Sequence, residues 1–308
     1  MENRLALVFS RPTTSDPLSF MGEKRCVYEE LMQRLQNKNI YPFITTTKVY
    51  SQKGEFKGYW DYSKGEKVEF INKKIKVDIV YDRSAGLDFP QHKDDLRVVD
   101  NREFKILAWD KWLVYKQIGE FMPKTYFISN NLKSLLSKIN SDFVVIKPIN
   151  GLKGKDLFIG SKKDAICYDM NKEKSYIVCE FIETVKGIPG IVEGRHDLRV
   201  VIINNKIVWS HVRTPPNGAF KANVAQGGKL VEVEVKDLPE NIIKTAMKVS
   251  EVFFKDYDNP IYSLDFGLDN KGKVFIFEIN DQIGFPKPFM KAKDIFLEEL
   301  VENFKSKL

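Results

Sequence analysis

The chain has 308 residues, 43% of them hydrophobic and 30% charged, which is enough for roughly two or three small domains and excludes a peptide or a solvated tail. Lys plus Arg at 49 against Asp plus Glu at 42 leaves a net charge of +7, enough to favour an anionic ligand but far short of a basic arm or nucleic-acid stripe. No apolar run is long and uncharged enough to span a bilayer, and MENRLALVFS carries no small-residue cleavage site. Cys26, Cys167 and Cys179 are too widely spaced for a disulfide frame or a zinc site, so the expectation is a cytoplasmic protein with reduced thiols and neither nucleic-acid nor membrane partners.

In chain order, RLALVFS reads as a buried strand, GEKRCVYEELMQRLQNKN carries apolar residues at helical spacing, and IYPFITTT returns to an extended pattern, which together predict a βαβ opening. A polar stretch over residues 51–74, rich in Lys and Gly, reads as an inserted excursion before the strand KVDIVYDRS. DNREFKILAWDKWLVYKQIGEF reads as one helical run leading out of this first domain. A second unit starts near residue 122 with TYFISNN, a helix over LKSLLSKI and the strand DFVVIKP. Beyond it strands dominate, joined by turns at Asn204-Asn205 and over residues 269–272, and DIFLEELVENF closes the chain as an amphipathic helix.

IYSLDFGL, the turn DNKG and KVFIFEIN form a natural hairpin. With the turn centred between Lys271 and Gly272, Asp265 lies opposite Glu278, and Asn280 follows on the same face. Two buried carboxylates side by side are costly unless a cation neutralises them, and a hard ion such as Mg²⁺ suits such oxygens. The alternative is that they pair with nearby Lys or Arg, or lie at a solvated strand end. DFVVIKP ends on Lys147, and the loop NGLKGKD with Gly151 and Gly154 lets backbone N–H groups approach a phosphate; a plain surface hairpin has the same pattern. SYIVCEFIET ends on Glu180, Phe181, Ile182 and Glu183, a hinge suited to an adenine edge or an ordinary edge strand. GRHDLRVVIINNKIVWSHVRT carries Arg195, Arg199 and Arg213, and PPNGAFKANVAQGG carries Lys221 and Asn223; guanidinium forks suit phosphate or carboxylate, or a salt bridge within the sheet.

The succession VIKP, glycine loop, EFIE, HDLRV, AFKANVAQGG, LDFG and FEIN over residues 143–284 resembles the ATP-grasp fold. It is most similar to the branch holding glutathione synthetases and the ligases that add glutamate to ribosomal protein or build amino-group-carrier conjugates. The resemblance implies an α/β (α+β) fold in which residues 1–121 form a βαβ domain preceding the ATP-grasp fold, 122–188 a small lid subdomain with phosphate loop and hinge, and 189–308 a C-terminal subdomain with the metal site. It implies ATP as the nucleotide, with Lys147 on its α- and β-phosphates, Lys111 assisting, and the loop from Gly151 to Lys155, Gly154 included, closing on the γ-phosphate. Glu180, Phe181 and Ile182 would bind adenine, with Glu183 near ribose. Asp265, Glu278 and Asn280 would hold two Mg²⁺ ions, with Mn²⁺ as a substitute, and Arg199, Arg213 and Asn223 would face the transferred phosphate and the acyl group.

The implied activity is amide formation between a small-molecule or peptide carboxylate and an amine through an acyl phosphate, with release of ADP and phosphate, in a homodimer or tetramer. Two alternatives stand beside it: a kinase acting on a polyol phosphate, for which Lys153, Lys155, Arg195, Lys221 and Lys229 are suited, and a nucleotide-binding module without turnover. The chain departs from the family pattern at Asp156, in the insertion VKGIPGIVEGR after the hinge, and at Asp281, Gln282 and Ile283 before Gly284. These departures bear on loop closure and acceptor choice.

Overall fold

The computed structural model describes residues 3–10, 13–14, 16–62, 69–84, 96–100, 102–129, 131–151, 155–216 and 228–308. The expected βαβ opening is present. Strand β1 (Asn3–Phe9) leads to helix α1 (Arg25–Gln36) and to β2 (Ile40–Thr46), which pairs with β1 in parallel from Asn3↔Ile40 to Phe9↔Thr46. Val27, Leu31 and Leu35 recur every fourth residue along α1 and bury one face of it.

The polar stretch is more ordered than its composition suggests. It forms the short strands β3 (Glu55–Phe56), β4 (Tyr59–Trp60), β5 (Phe70–Ile71) and β6 (Ile75–Lys76), because Phe56 and Trp60 are buried among its lysines and glycines. With β7 (Ile79–Asp82) and β8 (Arg97–Val98) the first sheet has the order β5-β4-β2-β1-β7-β8, while β3 and β6 pair separately.

The helical run that follows is not continuous: α2 (Arg102–Trp109) ends before Asp110, and α3 (Lys111–Ile118) begins after it. Asp110 leaves helical geometry at φ −101° and ψ 103°, and its Oδ1 accepts from the N–H groups of Trp112 at 2.8 Å and Leu113 at 3.0 Å. The capping carboxylate competes with helix continuation and wins, which sets Lys111 in the first turn of a new helix.

A small antiparallel sheet follows, built from β9 (Thr125–Ile128), helix α4 (Leu132–Leu136), β10 (Phe143–Pro148), β11 (Phe158–Ser161), helix α5 (Lys162–Ile166) and β12 (Tyr176–Glu180), in the order β11-β10-β12-β9. The third sheet comprises β13 (Asp197–Ile203), β14 (Lys206–Thr214), β15 (Lys229–Val233) and, after helix α6 (Glu240–Asp256), β16 (Tyr262–Leu268) and β17 (Val274–Asn280), ordered β15-β14-β13-β16-β17 and antiparallel throughout. Asn204 and Asn205 both have positive φ, 54° and 56°, as the tight β13–β14 turn requires.

The back of the third sheet buries Leu198, Val200, Leu264 and Phe266 against α6, α2 and α3. Its front is divided. Val201, Ile203 and Trp209 join a core completed by α1, β1 and the final helix α7 (Lys293–Ser306), whose Phe296, Leu297 and Leu300 pack with Leu5 and Leu7. The rest of the front face is polar, so the apolar packing of α7 leaves the neighbouring rows of the sheet open to a cleft. No helix among the described residues is long and apolar enough to cross a membrane.

Candidate active site

The polar rows of the third sheet form one wall of a cleft of about 560 Å³, and the small sheet forms the opposite wall. Strand register sets the first row. His211, Arg199, Asp265 and Glu278 lie directly across from one another on β14, β13, β16 and β17, and so share a face. Asp197 and Arg213 are paired in the next row along.

Arg199 donates Nε and Nη2 to the two carboxylate oxygens of Asp265 at 2.6 and 2.7 Å, and Arg213 Nη2 donates to Asp265 Oδ2 at 2.9 Å and also to Asp197 Oδ2. Asn280 Nδ2 reaches Asp265 Oδ2 at 3.3 Å. Burial works to raise the Asp265 pKa, but the Arg199 and Arg213 charges outweigh it and hold the carboxyl well below the usual range. Asp197 moves the other way: burial and then the Asp265 charge push it up, and the two guanidiniums only partly offset this. His211 is kept neutral, its pKa driven down by burial and then by Arg199 and Arg213.

The Asp265–Glu278 pairing depends on a bulge. Leu268↔Val274 and Phe266↔Ile276 pair regularly near the turn, and Phe277 is then the extra residue that brings Glu278 opposite Asp265. The bulge carbonyl, Phe277 O, accepts from Lys147 Nζ at 3.2 Å, which ties the end of β10 across the cleft to β17. The Phe277 ring lies over Gly267, where an added Cβ would meet it at 2.3 Å, so only glycine admits the ring there. Lys111 Nζ lies 3.2 Å from Glu278 Oε1 and donates to Gly151 O at 3.1 Å, while its backbone N–H donates to Ile149 O at 3.0 Å. Both lysines thus stand where β10, α3 and β17 converge.

The small sheet contributes Val145, Ile177 and Cys179 as an apolar wall, and the chain leaving β12 contributes Glu180, Phe181 and Ile182 at its rim. Of the residues singled out from sequence, Lys111, Lys147, Gly151, Glu180, Phe181, Ile182, Arg199, Arg213, Asp265, Glu278 and Asn280 all line this one cleft. Glu183 does not. Its carboxylate accepts from Arg195 Nε and Nη2 at 3.0 and 2.8 Å, and Arg195 is the member of the pair that lines the cleft. Gly154, Lys153, Lys221 and Asn223 lie outside the described residues.

Sequence reading passed over Tyr115, Thr184, Asp197 and Phe277, which also line the cleft, as does Gln282, one of the departures noted after Asn280. Asp197 was findable, since the alternation in HDLRV places it on the face of Arg199. Tyr115 follows Lys111 by one helical turn, but that spacing carries weight only once Asp110 is known to start a helix. Among the described residues no three His, Cys, Asp or Glu side chains cluster as a metal site. The donor set is instead two carboxylates and an amide, oxygen donors of the kind that suit a hard divalent cation.

Residues 107–299 match the family model described as RimK-like ATP-grasp domain. A probable alpha-L-glutamate ligase of Legionella pneumophila is 27% identical over 193 residues, 60% of this chain and 58% of that protein. A glutathione synthetase of Prochlorococcus marinus is 30% identical over 138 residues, 42% of each chain. The matched region thus spans little more than half the length of the first relative and less than half of the second. Among solved structures, D-alanyl-alanine synthetase A from Vibrio cholerae superposes with a TM-score of 0.63 at 14% identity, covering 100% of this chain and 99% of that one, a likeness of fold.

Proposed function

The chain belongs to the RimK-like ATP-grasp family, and on that premise we propose that it is an ATP-dependent carboxylate–amine ligase that works through an acyl phosphate and releases ADP and phosphate. The observation that carries the reading is the convergence of Lys111, Lys147, Arg199, Arg213, Asp265, Glu278 and Asn280 on one cleft between two sheets. Its volume of about 560 Å³ falls within the roughly 300–1,000 Å³ usual for small-molecule sites. Adenine would lie between the Val145, Ile177 and Cys179 wall and the Phe277 ring, with the backbone of Glu180 to Ile182 at its edge. Lys147 and Lys111, already turned toward carbonyl and carboxylate oxygens, would exchange these for phosphate oxygens. Residues 1–121, 122–188 and 189–308 are the units we assign to the preceding domain, the lid and the C-terminal subdomain.

Asp265, Glu278 and Asn280 are the residues that would hold Mg²⁺. When bound, it supplies neutralising charge to the phosphate oxygens. Arg199 and Arg213 would then pass from Asp265 to the acid substrate and the migrating phosphoryl group. A carboxylate oxygen attacks the γ-phosphorus and ADP leaves; the amine attacks the acyl carbon and phosphate leaves, with the amine proton released. The chain's own residues act by positioning and by preset charge.

The test is interception of the intermediate. With ATP, Mg²⁺, a panel of small and peptide carboxylates and no amine, hydroxylamine is expected to yield a hydroxamate together with ADP and phosphate, and Arg199→Ala to lower that yield. A phosphorylated product that resists hydroxylamine, formed with ADP and without free phosphate, would overturn the ligase reading in favour of phosphoryl transfer to a hydroxyl group.

A further inference from the structure

The loop leaving β17 carries a second group of charges that the proposed chemistry leaves unused. Arg83, one residue beyond β7, donates Nη2 to Ile283 O at 2.7 Å and Nη1 to Tyr81 Oη at 3.1 Å, and its Nε is buried without a partner. Its guanidinium lies 5.2 Å from the Tyr81 ring and 5.6 Å from the Phe285 ring. Lys24 Nζ stands 4.0 Å from where a Cβ on Gly284 would be, and Lys287 pairs with Glu23 at 2.8 Å. Cations from two other segments, Arg83 and Lys24, therefore lie against the loop that itself carries Lys287, and among the described residues neither Arg83 nor Lys24 has a carboxylate partner.

Such a grouping is unfavourable by itself. Burial lowers the Lys24 pKa, Lys287 and Arg83 lower it further, and Glu23 alone opposes them. Partly buried charges normally have counter-ions, so like charges held this close, with no carboxylate of the described residues paired to Arg83 or Lys24, make the locus electropositive and favour an anionic group. The position is informative. Ile283 follows Asn280 by three residues, at most about 10 Å of extended chain. Gln282, between them, lines the cleft and donates Nε2 to Asp82 O at 3.1 Å, beside Arg83. Lys24 is also among the charges that act on His211, the cross-strand partner of Arg199.

We propose that Arg83, Lys24 and Lys287 form a subsite for a second carboxylate of the acid substrate, the first being the one phosphorylated at Arg199, so that the acid carries at least two negative charges. This rests on the ligase reading for the identity of the first carboxylate, but the subsite itself stands on the unpaired cations.

The experiment titrates the full chain, with Mg²⁺ and ADP present, against glutarate and against butyrate by calorimetry. Wild type is expected to bind glutarate about tenfold more tightly or better, the scale of one charge-assisted contact. Lys24→Gln and Arg83→Gln should each remove most of that preference. Lys24→Gln should at the same time melt no lower than wild type without acid, since it relieves repulsion; a merely structural lysine would lower the melting temperature and leave the preference intact. Equal binding of the two acids, or a preference unchanged in Lys24→Gln, overturns the proposal, and this variant decides the matter should Arg83→Gln fail to fold. The two readings fail differently. Hydroxamate formed equally well from butyrate and glutarate leaves the ligase and removes the subsite; no hydroxamate from any acid, with glutarate preference still lost in Lys24→Gln, removes the ligase and leaves the subsite.

Discussion

Asp265→Asn and Glu278→Gln each neutralise one carboxylate of the same row, and the structure predicts very unequal losses of stability. The Asp265 side chain is 4% exposed and receives both Arg199 and Arg213, whereas the Glu278 side chain is 37% exposed and among the described residues is ion-paired only with Lys111. Removing the partner of a buried charge costs about 3–5 kcal/mol, and the exposed pair is worth under about 1 kcal/mol. An offset applies to Asp265→Asn, because Asp197 no longer feels the Asp265 charge that helps to raise its pKa, and so ionises and takes up the guanidiniums. A net loss of about 3 kcal/mol, or about 5 °C at this chain length, is expected for Asp265→Asn, and under about 2 °C for Glu278→Gln.

The pH dependence carries the sign. The folded Asp265 pKa lies below its unfolded value, so its contribution is present above about pH 4 and lost in stronger acid. The folded Asp197 pKa lies above its unfolded value, so wild type loses stability as pH rises from about 4 toward 7, and the variant loses less. The gap between wild type and Asp265→Asn should therefore be wider at pH 5 than at pH 8, measured by thermal unfolding in EDTA. A gap below about 2 °C at pH 5, or an equal fall for Glu278→Gln, refutes the reasoning.

Glu278→Gln should nevertheless lose turnover by about a hundredfold, the scale of one preorganised charge, with ATP affinity changed little; turnover within a few fold of wild type removes it from the reaction. Lys147→Ala should weaken ATP binding by about tenfold or more in calorimetry, and unchanged affinity counts against a phosphate role. Asp100 is buried, accepts from Ile261 N–H at 2.7 Å, and has its carboxyl pushed up to about 7 by burial, against that hydrogen bond. The native state holds its proton where the unfolded chain gives it up, so Asp100 by itself takes about 1.4 kcal/mol per pH unit from the stability between about pH 4 and 7, beside the separate fall from Asp197. Asp100→Asn should remove its share, leaving the Asp197 part of the slope, and be the more stable form at pH 8; an unchanged slope in urea unfolding contradicts the assignment.

The hairpin that presents Asp265 and Glu278 was legible because DNKG marks its turn and strand alternation fixes the face. The exact register was not. The pairing nearest the turn would set Asp265 opposite Phe277, and the extra residue at Phe277 corrects it, so a centre placed between Lys271 and Gly272 reaches the right pair only through a bulge that no local pattern announces. The break at Asp110 was missed for the opposite reason. Its signal is local, a capping carboxylate, but the apolar period runs through it from α2 to α3. Arg83 and Lys24 were invisible as a pair because they are isolated charges 59 positions apart by their numbering, joined only when β7, α1 and the loop after β17 meet.

The charge pattern of the cleft follows from these contacts. Four cations, Lys111, Lys147, Arg199 and Arg213, face the carboxylates of Asp265, Asp197 and Glu278, and all but Lys147 are matched to one of them. Each carboxylate fit for a cation is thus engaged by a base fit for phosphate. A phosphate arriving alone would compete with Asp265 for Arg199 and leave a buried carboxylate unpaired, and a cation arriving alone would leave the guanidiniums unpaired. Only a ligand that brings both charges satisfies both halves of each broken pair, so under the proposed ligase reading the cleft would favour a metal-bound nucleotide over either component. The loop after β17 differs on this count: among the described residues neither Arg83 nor Lys24 is ion-paired with a carboxylate, so under the proposal an acid substrate would meet these two without breaking a pair, and only Lys287 would have to leave Glu23.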